Sequence, residues 1–177
     1  QKIVHISKVL YHVYDENKVV IKTDNIIEAE KMGASDKECR AIGISCGGPL
    51  DEKKGIIQSP PNLPNWDNVP VTDMASERLG VPAFLENDAN ACALAEWRWG
   101  AGRGTQNMIF LTMGTGMGGG VIAEGQLLRG HTDMGGEIGH LRLSEDGPVG
   151  FGKAGSFEGY TSGGGIGRQA VALTQEM

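Results

Sequence analysis

A chain of 177 residues with 40% hydrophobic and 21% charged side chains can bury a sizeable core and has the make-up of an ordinary globular protein. Its formal net charge of -6, with 16 Lys and Arg scattered along the chain, argues against a nucleic-acid partner, because neutralising phosphates needs a basic face. No apolar run approaches membrane-spanning length and no signal-peptide pattern opens the chain, so no membrane is expected. Cys39, Cys46 and Cys92 show no close pairing, which fits a cytoplasmic, reducing setting.

Residues 3–14 read as extended, with Val9, Tyr11 and Val13 alternating, and residues 15–17 as a turn into a second strand at 19–21. Asp24 can cap a short helix that runs through Met32 and stops at Gly33. Residues 41–45 (AIGIS) form a short strand leading into a Cys-Gly-Gly-Pro loop at 46–49. Four prolines around Trp66 make residues 58–70 an ordered loop. Apolar residues at Val71, Met74, Ala75 and Leu79 have helical spacing, closed by Gly80. A strand over 81–85 hands over to Asn87-Asp88 and an alanine-rich helix over 89–99. The glycine-rich residues 100–104 mark a composition change, taken as the boundary between lobes at 1–104 and 105–177. Residues 108–113 (MIFLTM) are a strong strand, with Val121-Ile122 as its partner across a glycine turn. Alternating strands and helices in the first hundred residues predict an α/β sheet lobe.

Asp88 sits where a strand gives way to a helix, a place where ligands gather in open α/β sheets. A carboxylate there can accept a proton from a substrate hydroxyl. It can also cap the helix, and the two roles are compatible because a helix N-terminus stabilises negative charge. Of the 28 glycines, five fall within residues 114–120, more than a hairpin needs. Converging backbone N–H groups without side-chain obstruction suit a phosphate. No Gly-Lys-Ser/Thr follows, so this is not a Walker A loop. Glu137, His140 and Glu158 offer two carboxylates and an imidazole, which match adjacent sugar hydroxyls; a simple surface Glu–His pair is the other reading. Residues 147–158 hold no cysteine, so a thiolate-based zinc site near His140 is not expected.

Taken in order, AIGIS with GGPLD, SPPNLPNW, PAFLENDANACALAE, MGTGMGGGVIAEGQLLRG, GGEIGH and GSFEGYTSG resemble the ROK family of bacterial glucokinases, other hexose and N-acylhexosamine kinases, and sugar-responsive repressors. The resemblance spans residues 41–168, roughly three quarters of the chain. It implies a two-lobed actin-like ATPase (ribonuclease H-like) fold, with ATP and Mg2+ serving a sugar hydroxyl, and family members that often form homodimers. It implies that Asn87 binds sugar, that Asp88 is the catalytic base, and that Glu137, His140 and Glu158 hold sugar hydroxyls. It further implies that Gly114, Thr115 and Gly116 approach the transferred phosphate, and that Gly48 and Asn62 line the sugar pocket.

Three departures qualify the resemblance. The family's Asp-x-Gly-Gly-Thr phosphate motif is absent, its three zinc-motif cysteines align with Val149, Phe151 and Ser156, and the C-terminal adenosine-binding segment is missing. The expectation is therefore a chain incomplete at both ends, without structural zinc. A sugar-sensing regulator and a catalytically inactive sugar-binding protein are the alternatives to the kinase.

Overall fold

The structure, a computed structural model, describes residues 2–7, 10–14, 20–23, 39–61 and 63–175, with side chains from residue 41 onward. The helix expected over 24–32 and the pocket residue Asn62 lie outside the described residues.

The chain divides into two compact units, Gln1–Asp88 and Ala89–Met177. The first is built on a five-stranded sheet, formed by β1 (Lys2–Ser7), β2 (Leu10–Tyr14), β3 (Val20–Thr23), β4 (Cys39–Cys46) and β7 (Ala83–Asn87), in the order β3-β2-β1-β4-β7. The extended stretch expected over 3–14 is thus two strands, β1 and β2, paired antiparallel with Ser7 opposite Leu10. β4 lies parallel to both β1 and β7. A strand flanked on both sides suits a run of apolar residues, and Ile42, Ile44 and Cys46 are all buried, at the alternate positions that share one face.

Ile57, Val71 and Leu85 complete that core. Ile57 ends β6 (Ile56–Ile57), which pairs with β5 (Leu50–Asp51). Its N–H and C=O both bond to Val69 at 3.0 Å, closing the proline-rich loop at its base. Ser59 N–H adds a 2.9 Å bond to the Trp66 carbonyl. The helix predicted from spacing is α1 (Val71–Leu79); Gly80 ends it at φ 68°, donating to the Ser76 carbonyl at 2.8 Å. Glycine takes this left-handed conformation without a Cβ penalty.

The second unit contains α2 (Asp88–Trp99, apart from Asp88 itself), followed by β8 (Met108–Met113), β9 (Met117–Ala123) and β10 (Gln126–Leu127). These three strands form an antiparallel sheet in the order β10-β9-β8. β11 (Val149–Gly150) and β12 (Lys153–Ala154) make a separate hairpin. Two further helices follow, α3 (Phe157–Thr161) and α4 (Gly163–Gln175).

β9 explains most of the glycine cluster, and differently from the turn expected of it. The hairpin turn is only residues 114–116, and Gly118, Gly119 and Gly120 belong to the strand. Successive residues of a strand face opposite sides. A Cβ at Gly118 would lie 3.3 Å from the Ala89 Cβ, and one at Gly120 would lie 2.5 Å from the Ala93 Cβ. On the other side, a Cβ at Gly119 would meet the Ile138 Cδ1 at 2.8 Å. β9 is therefore clamped between α2 and the segment carrying Glu137 and His140. The same packing places α2 from Ala89 onward in the second unit.

Candidate active site

In the first unit, parallel pairing fixes the site. Cys46 and Asn87 are register partners, so β4 and β7 end side by side. The chain leaves β4 through Gly47-Gly48 and leaves β7 directly into Asp88, the first residue of α2. A Cβ at Gly47 would lie 3.8 Å from the Asp88 Oδ2, and one at Gly48 would lie 3.9 Å from the Asn87 Nδ2. Asp88 is exposed and Asn87 half-buried. The two adjacent strand ends thus gather Gly48, Asn87 and Asp88, all expected to serve sugar. They add Gly47, for which the signal in the sequence is the Cys-Gly-Gly-Pro loop that it shares with Gly48.

In the second unit, residues 114–116 close the β8–β9 hairpin, with Gly114 N–H donating to the Gly116 carbonyl at 3.0 Å. Among the described residues, none accepts the N–H of Thr115 or Gly116. The turn rests on the start of α4: Gly163 N–H donates to the Gly114 carbonyl at 2.8 Å and Gly164 N–H to the Thr115 carbonyl at 3.2 Å. A Cβ at Gly164 would approach that Thr115 carbonyl oxygen to 2.8 Å. Gly163 and Gly164 thereby allow a helix N-terminus to approach the turn closely, while Gly165 packs on the backbone of α3.

Glu137 and His140 bracket a 3-10 turn, Ile138–His140, with the His140 Nε2 3.7 Å from the Glu137 Oε2. Gly139, between them, is buried against β9; a Cβ there would meet the Met117 carbonyl oxygen at 2.5 Å. The His140 ring packs on the Phe151 ring, centroids 4.5 Å apart at 51°, and Lys153 Nζ donates to the His140 carbonyl at 2.8 Å. Glu158 stands on α3, whose N-cap is Ser156. The fully buried Ser156 Oγ accepts from Gly159 N–H and donates to the Gly150 carbonyl, both at 3.1 Å. Phe157 N–H bonds to the Leu141 carbonyl at 2.8 Å, tying α3 to the 3-10 turn. The Glu158 Oε2 accepts from Met117 N–H at 3.0 Å, so this carboxylate is docked on the strand end that follows the glycine turn.

The second unit thus brings together the glycine turn, Glu137, His140 and Glu158 around β9. Chemically it offers carboxylates and an imidazole beside two amides with no acceptor among the described residues, suited to a polyhydroxylated ligand and an anionic group. Among the described residues no cluster of three or more His, Cys, Asp or Glu could hold a metal. Cys46, which is buried, and Cys92, which is exposed, are not in disulfides. No helix among the described residues is long and apolar enough to cross a membrane.

The sequence model of the ROK family matches residues 20–176. The glucokinase of Thermotoga maritima is 46% identical over 113 residues, which cover 64% of this chain and 36% of that protein. The xylose repressor of Bacillus subtilis is 36% identical over 86% of this chain and 41% of its own length. Among solved structures, the ROK hexokinase of Thermus thermophilus superposes with a TM-score of 0.79 at 33% identity, covering 99% of this chain and 65% of that one. The ROK glucokinase of Streptomyces griseus in complex with glucose and AMPPNP gives 0.71 at 33% identity, covering 98% and 61%. The chain spans less than half the length of these two curated relatives.

The positions that the resemblance sets against the family's zinc-motif cysteines are Val149, Phe151 and Ser156. Two of these side chains carry no donor, and the Ser156 hydroxyl is engaged at both lone pair and proton. They do not fit a tetrahedral thiolate site. With its mixed α/β units, its ordered motifs and its structural likeness to ROK kinases of the actin-like ATPase fold, the chain belongs to the ROK family.

Proposed function

We propose that the full protein is an ATP-dependent sugar kinase that phosphorylates a hexose or N-acylhexosamine hydroxyl, most simply the 6-hydroxyl. The observation that carries this reading is the placement of Asp88 at the carboxyl edge of β7, exposed and facing the Gly47-Gly48 loop.

The sugar's primary hydroxyl oxygen attacks the γ-phosphorus of Mg-ATP while Asp88 accepts its proton. The O–P bond forms as the bond from phosphorus to the β,γ-bridging oxygen breaks, and ADP leaves. Asn87 and Gly48 line the sugar on the Asp88 side. Glu137, His140 and Glu158 bond its ring hydroxyls and so select the one that reacts. The Thr115 and Gly116 N–H groups meet charge on the transferred phosphoryl group. Mg2+ enters with ATP as part of the substrate, and no step passes through zinc.

The likeness to xylose repressors favours a second reading, a sugar-sensing regulator. A panel of hexoses and N-acylhexosamines assayed for ADP release with full-length protein separates the two. Turnover that needs one sugar class and Mg2+ supports the kinase. Saturable sugar binding with no ADP release for any sugar would reject it in favour of a sensor.

A further inference from the structure

Glu158 meets the glycine turn as well as the proposed sugar site. Its Oε2 accepts the Met117 N–H at 3.0 Å, and a Cβ at Gly116 would lie 2.9 Å from that same oxygen. Met117 itself is buried and held from other sides, with the Thr161 hydroxyl 3.1 Å from its Sδ and Gly139 packed on its carbonyl oxygen. A carboxylate has about four acceptor positions over two oxygens, so engaging the turn through Oε2 leaves Oε1 for a sugar hydroxyl.

We propose that Glu158 is a positioning residue for both substrates, fixing the phosphate-facing turn through the Met117 amide with one oxygen while the other holds the sugar. The inference rests on the kinase reading, with the turn as the phosphoryl-facing element. Its consequence is that Glu158 affects nucleotide binding even when no sugar is present, which a residue that contacted sugar alone would not do. It also gives Gly116 a specific reason to lack a side chain: a methyl group there would push the carboxylate off the amide. Because the flexible end of Glu158 can yield, that methyl displaces the carboxylate rather than the backbone.

The test measures AMPPNP affinity of sugar-free, full-length protein together with hydrogen exchange of the Met117 amide. Glu158→Ala is expected to weaken AMPPNP binding about tenfold and to speed Met117 exchange at least about tenfold, as loss of a charge-assisted hydrogen bond implies. Glu158→Gln, whose amide oxygen can still accept from Met117, is expected to restore both to within about twofold. Gly116→Ala is expected to reproduce the Glu158→Ala effect and to add nothing in the double variant, the non-additivity of two changes to one interaction. It keeps the question decidable if Glu158→Ala does not fold. Unchanged AMPPNP affinity and Met117 exchange in Glu158→Ala, with sugar affinity lost, would overturn the proposal and leave Glu158 a sugar ligand only. A Gln variant as impaired as the Ala variant would also overturn it. Wild-type protein that binds no AMPPNP would count against the kinase reading and this inference together, an outcome distinct from binding that the variants leave untouched.

Discussion

Gly120 and Ala93 meet with no space for another carbon: a Cβ on the glycine would sit 2.5 Å from the alanine's, 2.9 Å from the Ala89 carbonyl oxygen and 3.2 Å from the Asn90 Cα. Strand β9 and helix α2 therefore touch nearly backbone to backbone. Two of the three obstacles are backbone atoms, which cannot swing aside as a side-chain end can.

Gly120→Ala should accordingly destabilise the protein by about 1–3 kcal/mol, the usual cost of overpacking. Gly167 supplies the opposite case. It lies in α4 with nothing within 4 Å of a Cβ and is exposed, so Gly167→Ala should stabilise by about 0.5–1 kcal/mol. Chemical denaturation of the two variants checks both signs at once. Equal effects would show that the glycine content of β9 has no packing basis.

Ser156→Ala removes the N-cap of α3 and leaves the Gly150 carbonyl without its buried donor. The expected loss is about 1–2 kcal/mol, the upper part of the range for helix caps. Because α3 carries Glu158, the Michaelis constant for sugar should rise as well. Denaturation paired with steady-state kinetics checks this, and a loss of stability without any change in the kinetics would separate the cap from the site.

Elemental analysis of the full-length protein should find no stoichiometric zinc. Val149 and Phe151 offer no ligand, and the His140 ring lies against the Phe151 ring. One tightly held zinc per chain would show that donors other than the aligned positions build a site.

Features set by neighbouring residues are legible in the amino-acid sequence. The apolar spacing from Val71 to Leu79 and the stop at Gly80 predict α1 with its end, because helix period and left-handed glycine are local properties. The strand-to-helix handover at Asn87-Asp88 is also local, and the ordered motifs point to the family. The role of Gly118, Gly119 and Gly120 is not legible in this way. A strand that must pass between a helix and a turn is defined by partners distant along the chain, as Gly120 is by Ala93, and a glycine run alone looks the same in a hairpin and in a clamped strand. The bond from Met117 to Glu158, 41 residues apart in sequence, is hidden for the same reason. Gly47 shows in the sequence only as part of the Cys-Gly-Gly-Pro loop; its place beside Asp88 comes from the parallel register that sets Cys46 beside Asn87.

The central claim is that Asp88, at the edge of β7 and facing Gly47, is the base of a sugar kinase. Asp88→Asn keeps the shape and removes the proton acceptor, so it tests that claim most directly. With full-length protein, Mg-ATP and the preferred sugar, kcat should fall by about 10²–10⁴-fold, the range for loss of a general base. Sugar affinity should stay within about tenfold of wild type, since the remaining contacts persist. Turnover retained near the wild-type rate would contradict the assignment of Asp88.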